Sequence, residues 1–288
     1  MEVGRILSNS NPVRRHLSVD RLRSALRWEL REEDLKFISG WELLGDIVII
    51  QLPKELEGAK YLIGRKILEL HPKAETVLNR AEIKGVFREP QVEVIAGSKT
   101  ETLHKENGCI FKIDPTKVMF SFGNIEERKR MASISNEDET IVDMFACVGQ
   151  FSIPMAKHSN PKAVYAIEKN PIAFDFLKEN IAINRFRNVH PILGDCRGVS
   201  PRKVAHRVVM GYLFDTHKYL PSAINALRDE GGVVHYHTTS HKGGIMEVEE
   251  TITGIVEEEG HTVKSIQSRI VKSYAPKIYH FVIDIVVG

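Results

Sequence analysis

The order of apolar segments predicts an α/β fold, with a doubly wound, Rossmann-like sheet in the C-terminal part of the chain and a smaller α+β block ahead of it. Three observations lead there. From Thr140 onward, short apolar runs alternate with helical stretches down to the C-terminus. The first of these runs ends in an acidic residue and opens into a turn of small residues, Ile141-Val-Asp-Met-Phe-Ala-Cys-Val-Gly-Gln-Phe-Ser152. The last two runs, Val263 to Ile270 and Ile278 to Ile285, are separated only by the turn-like Lys272 to Pro276. That is too short for a helical crossover, so they pair directly.

The elements follow in order. Arg14, Arg15, Arg21, Arg23, Arg27 and Arg31 flank Leu22, Leu26 and Leu30, whose i, i+4 spacing marks one face of an amphipathic helix with basic flanks. Asp46 to Gln51 is an apolar run suited to a buried strand, and Leu56 to Leu70 is a second helical stretch that stops before His71-Pro72. Strands are expected at Val92 to Ala96 and Cys109 to Ile113, and a helix over Glu126 to Met131. The sheet strands are Thr140 to Asp143, Ala163 to Ile167, Val189 to Leu193, Arg207 to Met210 and Gly232 to His237, followed by the late pair. The boundary falls near residues 114 to 135, giving an N-terminal α+β domain at 1–115 and a Rossmann-like domain at 116–288.

The 288 residues are 42% hydrophobic and 27% charged, enough apolar content for a buried core, which excludes a wholly disordered chain. Arg5, Arg14 and Arg15 stand among polar residues with no apolar stretch of signal-peptide type. No run approaches the roughly 18 apolar residues of a membrane span, so a cytoplasmic protein with no membrane contact is expected. Cys109, Cys147 and Cys196 are widely separated and lack the spacing of metal ligands, which points to reduced thiols and no metal. A net charge of +2 neither requires nor excludes a polyanionic partner; clustering matters more than the total.

The turn after Asp143 is not the glycine-rich loop that a pyrophosphate needs, which argues against a dinucleotide. An acidic residue before the turn suits a cationic ligand such as the sulfonium and ammonium of S-adenosyl-L-methionine. Glu168 ends the next strand, where a carboxylate can accept both hydroxyls of a ribose. The third strand ends in Gly194-Asp195-Cys196-Arg197, where a carboxylate and a backbone amide can read the edge of adenine. Each residue also has a local reading: Asp143 as a helix cap, Glu168 as a solvated strand end, Asp195 as a turn closer. Spaced over successive β-α units, they read together as an adenosine pocket. Cys147 reads as a small buried thiol rather than a nucleophile.

Phe120-Ser-x-Gly-Asn-Ile-x-Glu-Arg128, Asp143-Met-Phe-Ala-x-Val-Gly149 with Phe151-Ser-Ile-Pro154, Glu168-Lys-Asn-Pro171, Lys178-Glu-Asn-Ile-Ala-Ile-Asn184 and Gly194-Asp195 are distinctive. They resemble the tRNA guanine-N1 methyltransferase and wybutosine-synthesis transferase family. Glu82-Ile-Lys-Gly-Val-Phe-Arg88, Val94-Ile-Ala-Gly97 and Thr102-Leu-His-Lys-Glu-Asn-Gly108 look like the small domain that precedes catalysis there. The resemblance implies a class I methyltransferase-type sheet, S-adenosyl-L-methionine as co-substrate, tRNA as partner, no protein partner and no metal. It carries over Ser121, Arg128, Glu168 and Asp195 as cofactor contacts, with Arg128 pairing the methionine carboxylate; otherwise Arg128 is a helix-surface charge near Glu126 and Glu127. Asp143, Phe145 and Cys196, from the same motifs, complete the cofactor-binding set.

The methylating branch of that family carries an Asn-x-Pro-type motif after the fourth strand, and here the stretch is Met210-Gly-Tyr-Leu-Phe-Asp-Thr-His-Lys218. Lacking both Asn and Pro, it resembles the aminocarboxypropyl-transferring branch. That branch implies transfer of the 3-amino-3-carboxypropyl group to the C7 carbon of 4-demethylwyosine, 3' of the anticodon of phenylalanine tRNA. Gly211, with no side chain, leaves room for a tricyclic base. Asp215 and His217 are candidate bases by position. The alternatives are guanine-N1 methylation at the same nucleotide and a non-catalytic tRNA-binding protein. Cys147 stands where the family usually has Gly, bringing a side chain to where it would crowd the methionine moiety, and Gln150 also departs from the pattern.

Overall fold

The computed structural model describes residues 12–84 and 89–288, with side chains described from Val19 to Ala81 and from Pro90 onward. Arg5, the side chains of Arg14 and Arg15, and residues 85–88 of the Glu82–Arg88 motif lie outside the described set. The chain divides into two compact units, one of Met1–His104 with Ile113–Lys117 and the other of Lys105–Lys112 with Val118–Gly288.

In the first unit, helix α1 (Pro12–Leu26) and the single turn α2 (Glu32–Leu35) precede strands β1 (Glu42–Leu44) and β2 (Ile47–Ile50). The expected second helix is a 3-10 segment, Lys54–Ala59, continued by α3 (Lys60–Leu70). Strands β3 (Thr76–Lys84) and β4 (Glu89–Ala96) complete a four-stranded sheet in chain order, antiparallel except where β2 and β3 run parallel through the α3 crossover. Leu22 and Leu26 of α1 and Ile63 and Ile67 of α3 are buried against Val48, Ile50 and Val77 of the sheet. The helix stops at Leu26, one turn before Leu30, whose amide still donates to the Leu26 carbonyl.

Strands β5 (Thr102–Glu106) and β6 (Cys109–Ile113) form a hairpin. In the second unit, α4 (Ile125–Met131) is followed by β7 (Thr140–Asp143), α5 (Ser152–His158), β8 (Ala163–Glu168), α6 (Pro171–Asn184), β9 (Val189–Leu193) and the turn α7 (Cys196–Val199). Then come β10 (Arg207–Met210), α8 (Leu220–Ala226), β11 (Gly232–Ser240), α9 (Ile245–Glu258), β12 (Val263–Ala275) and β13 (Ile278–Val287). The seven strands lie in the order β12-β13-β11-β10-β7-β8-β9. All are parallel except β13, which runs antiparallel to both neighbours. This is the Rossmann-like, methyltransferase-type sheet expected.

Period-2 alternation sends Val142, Val208, Val234 and Ile283 to one face, against Leu220, Ile224, Ile252 and Val256 of α8 and α9. Ile141, Val164 and Val209 go to the other, against Met155, Leu177 and Ile181 of α5 and α6. The late hairpin differs in one detail: β12 runs on to Ala275, and the turn is Pro276-Lys277 rather than Lys272 to Pro276. Proline followed by a left-handed residue, Lys277 at φ 62°, suits a tight two-residue turn.

Two asparagines of α6 serve as a substitute strand for β6. Asn184 accepts from the Ile110 amide at 2.9 Å and donates to its carbonyl at 2.6 Å. Asn180, fully buried, accepts from the Lys112 amide at 2.6 Å and donates to the carbonyls of Lys112 (3.2 Å) and Val148 (3.1 Å). Asn180→Ala removes this partner from the buried Val148 carbonyl and from the partly buried amide and carbonyl of Lys112, and should lower stability by about 3 kcal/mol. Urea denaturation read by circular dichroism checks this, and a loss under about 1 kcal/mol would mean that these bonds contribute little.

Candidate active site

Ligands of a parallel sheet bind at the carboxyl ends of its strands, where the order reverses. Here that point is β7, with β8 on one side and β10 on the other. Asp143, the last residue of β7, is fully buried; its Oδ2 accepts from the Ser152 hydroxyl at 2.6 Å and its Oδ1 from the Phe145 amide at 3.3 Å. Burial pushes its carboxyl up to about 6. Asp143 therefore ties the two ends of the turn together from beneath, instead of facing a cationic ligand.

Within that turn Cys147 takes a left-handed φ of 50° and Gly149 a φ of 93°, and a Cβ on Gly149 would come 2.6 Å from Ile153. The conformation aims the Cys147 amide at Glu168, whose Oε2 accepts it at 2.7 Å while Oε1 accepts the Asn170 amide at 2.7 Å. Burial pushes the Glu168 carboxyl up, and these amides pull it back. The Cys147 sulfur reaches the Met119 carbonyl at 3.5 Å, so the crowding expected from this side chain is directed at the segment that leads to Ser121.

Asp195 caps α7 and receives Arg197 at 2.7 and 2.9 Å and Lys169 at 2.9 Å. Its partner Arg197, followed by Lys169, holds it well below the usual carboxylate range. The neighbouring Cys196 thiol is buried and pushed up to about 12 by burial. It is an inert thiol, and only its backbone is suited to ligand recognition.

Arg128 is neither a surface charge nor open to a ligand carboxylate along its fork. It is 1% exposed, its Nε and Nη2 donate to Glu106 at 2.6 and 2.7 Å, and Nη1 donates to the Ser121 carbonyl. Glu106 occupies the place expected for the ligand, and Arg128 fixes the backbone of the Ser121 segment. Two buried side-chain atoms near these turns have no hydrogen-bond partner among the described residues: Asn124 Oδ1, three residues after Ser121, and Gln150 Nε2, in the turn after β7. An acceptor and a donor of this kind fit the ammonium and carboxylate of an amino acid. Asn124 stands in the Phe120–Arg128 motif and Gln150 departs from the family pattern, but neither is a cofactor contact on sequence grounds.

Phe145 is half-buried and stacks on Tyr212, with centroids 5.1 Å apart at 17°, and Tyr219 meets it edge-on at 5.1 Å. A Cβ on Gly211 would lie 3.0 Å from the Phe151 ring, so that ring, and not open room for a base, stands where a side chain at this position would go. Asp215 and His217 are exposed, and Asp215 is bound by Lys218 at 2.6 Å, which holds it below its ordinary value. As a proton acceptor Asp215 is weakened by that partner, leaving His217 as the candidate.

In the first unit, Arg23 donates to the Ile38 carbonyl at 2.7 Å and Arg31 is bidentate to Asp34 at 2.8 and 2.9 Å. Arg21 and Arg27 face solvent. Among the described residues no His/Cys/Asp/Glu group could hold a metal ion, and no helix is long and apolar enough to cross a membrane.

The raised carboxyl of Asp143 has a measurable consequence. Below its ordinary value of 3.8 the group is neutral whether folded or unfolded, and as pH rises through about 6 the folded chain must carry a buried charge. Relative to Asp143→Asn, the wild type should lose about 3 kcal/mol between roughly pH 4 and 6, then stay level. Urea midpoints across that range test it; a pH-independent offset would mean an ordinary carboxyl.

The sequence matches the TRM5/TYW2 methyltransferase domain over residues 102–272 and the TYW2 N-terminal domain over residues 22–100. The tRNA(Phe) (4-demethylwyosine(37)-C(7)) aminocarboxypropyltransferase of Methanocaldococcus jannaschii is 46% identical over 245 residues, 85% of this chain and 96% of that protein. Its namesake from Pyrococcus horikoshii is 38% identical over 268 residues, 92% and 95% of the two chains. The tRNA (guanine(37)-N(1))-methyltransferase Trm5b of Pyrococcus abyssi is 37% identical over 249 residues, 85% of this chain and 74% of that one. Among solved structures, P. horikoshii TYW2 in complex with MeSAdo superposes with a TM-score of 0.81 at 37% identity, covering 93% of this chain and 98% of that chain. M. jannaschii TYW2 in complex with AdoMet gives 0.71 at 41%, covering 86% and 99%. The chain belongs to the TRM5/TYW2 methyltransferase-domain family.

Proposed function

We propose that this chain transfers the 3-amino-3-carboxypropyl group of S-adenosyl-L-methionine to the C7 carbon of 4-demethylwyosine beside the anticodon of phenylalanine tRNA. The observation that carries this reading is the end-to-end likeness to two aminocarboxypropyltransferases, which match over 96% and 95% of their lengths. The P. abyssi methylating relative is matched over 74% of its own length, and a tRNA 4-demethylwyosine(37)-methyltransferase of Saccharolobus solfataricus over 92% of its length but at only 32% identity, against 46% and 38% for the two aminocarboxypropyltransferases. The fourth strand agrees: it ends in Gly211-Tyr212, without the Asn and Pro of the methylating branch.

Glu168 would hold the ribose. Its oxygens accept the Cys147 and Asn170 amides, and a carboxylate has further lone-pair directions with which to accept ribose hydroxyls. Asp195 and the Cys196 amide would meet the adenine edge. Asn124, in the segment that Arg128 and Glu106 hold, and Gln150, in the turn after β7, would receive the amino-acid end. When bound, the sulfonium would supply an activated γ-carbon, and attack there by the ring carbon would break the γ-carbon–sulfur bond and release methylthioadenosine, so alignment of the acceptor is the main task left to the chain. His217 is the candidate to take up the ring proton. Arg21 and Arg27, with Arg27 lying 4.7 Å over the Trp28 ring, would meet tRNA phosphates.

Two measurements follow. Co-substrate labelled in the methionine backbone should deliver label to tRNA containing the tricyclic precursor, and co-substrate labelled only on the methyl group should not; methyl label in tRNA with unmodified guanosine would reverse the assignment. Glu168→Ala and Asp195→Ala should each weaken S-adenosyl-L-methionine binding by roughly tenfold or more, the cost of a hydrogen bond to a charged group. Calorimetry giving native affinity in both variants would sink the pocket.

A further inference from the structure

Five aromatic side chains of the second unit, Tyr219, Phe145, Tyr212, Phe214 and Tyr274, form a continuous row with two distinct ends. One end is Tyr219, whose ring has the Arg197 guanidinium 4.9 Å above it, beside Asp195. The row passes through Phe145 and Tyr212, which stack at 5.1 Å. It continues edge-to-face from Tyr212 to Phe214 at 6.0 Å and from Phe214 to Tyr274 at 6.2 Å. Phe214 follows β10, whereas Tyr274 sits near the tip of the β12-β13 hairpin, so two elements distant in sequence build the far end together. There the rings open to solvent: Phe214 is 41% exposed and Tyr274 43%.

A contiguous exposed aromatic edge needs a reason, because packing would otherwise cover it. The first end is accounted for by an adenosine held at Asp195 and Glu168. The far end lies beyond the residues proposed for adenosine, on the opposite side of Phe145 and Tyr212, and so serves a second flat group. Two exposed lysines stand on the flanking elements: Lys277 in the hairpin turn, three residues after Tyr274, and Lys242, whose ammonium lies 5.2 Å over the ring of Tyr279, the register partner of Ser273 next to Tyr274. Asp215, the acidic neighbour of Phe214, is bound by Lys218. Aromatic faces interleaved with lysines are the pattern that receives unstacked bases and their phosphates.

We infer that Phe214 and Tyr274 form the wall on which the acceptor base of the RNA stacks once it leaves the anticodon loop, with the β12-β13 hairpin as part of the acceptor site. The inference rests on the tRNA reading above. It extends the acceptor site from the carboxyl end of β10 to the hairpin at one edge of the sheet, and it gives a function to Tyr274, outside every motif, and to Phe214, a residue of the Met210–Lys218 stretch with no role of its own so far.

The full-length protein is tested with an anticodon stem-loop RNA carrying the tricyclic base, and with the same RNA made abasic at that position. Phe214→Ala and Tyr274→Ala should each bind the base-containing RNA about tenfold more weakly, the usual consequence of losing one stacking partner. Neither should differ from wild type on the abasic RNA, and Tyr274→Trp should restore affinity. Calorimetric affinity for S-adenosyl-L-methionine should stay within about twofold of wild type in all variants, which also reports an intact fold. Equal losses on both RNAs, or no loss on either, would overturn the stacking role. Lost co-substrate affinity with the fold intact by circular dichroism would assign the whole row to the co-substrate and overturn it too. A methylated product from the wild type would fail the reaction assignment alone, because the base-dependent binding difference is measured without turnover.

Discussion

The site depends on one carboxylate held by two backbone amides. Glu168 receives Cys147 from the turn after β7 and Asn170 from the turn after β8, so the first two β-α turns cannot shift independently. The bond requires Cys147 to stay in a left-handed conformation that a non-glycine residue adopts at some cost. It also requires a carboxylate to remain charged where burial disfavours charge. Asp143, buried below, supplies the complementary restraint by joining Ser152 to the Phe145 amide. Ligand-facing geometry here is thus secured from the protein side before any ligand arrives, which is the preorganisation that transfer between bound partners needs.

A second layer of restraint comes through Arg128. A guanidinium buried to 1% exposure is tolerable only because Glu106 matches its fork and the Ser121 carbonyl takes a further N–H. Removing one partner would leave an uncompensated charge inside the unit, so the pair fixes where the segment before α4 can lie. Because Glu106 belongs to the β5-β6 hairpin, and β6 is itself tied to α6 through Asn180 and Asn184, the hairpin, α4 and α6 share one hydrogen-bonded frame.

Much of this was legible in the sequence, for physical reasons. Strands buried on both faces read as apolar runs, so the sheet strands from Thr140 onward were placed within a few residues, as was the direct pairing of the last two. Strand β3 was not, because Asn79 and Arg80 interrupt its pattern; they are there to bond the Leu52 amide and Glu42, partners that no local window contains. The turn of the late hairpin was placed too early because polar residues and register shifts at Ile270/Lys272 and Ser273/Ala275 mimic a loop. At the site, Glu168 and Asp195 declared themselves as acidic strand ends. Arg128 was visible as a charge, but its burial depends on Glu106, in another element. Asn124 is visible as a motif residue and Gln150 as a departure from the pattern, but the role of each depends on which buried polar atoms lack partners, and that only the fold decides.

Strand β13 carries a feature whose consequence concerns heat. Asp284 is met by Arg130 from α4 at 3.0 and 3.2 Å, by Arg269 from β12 at 2.5 Å and by His235 from β11 at 2.6 Å. Burial lowers His235 to about 4, so it is neutral, donating through Nδ1 and accepting Arg207 on Nε2 at 2.7 Å. With Glu127 on Arg130 and Glu139 on Arg207, three guanidinium groups balance three carboxylates across α4 and the sheet. The hydration that such charges give up is worth less as temperature rises, while apolar burial levels off. The antiparallel strand that completes the sheet is therefore fastened by contacts whose relative worth grows on warming, and the region around it should be among the last to loosen as the molecule is heated.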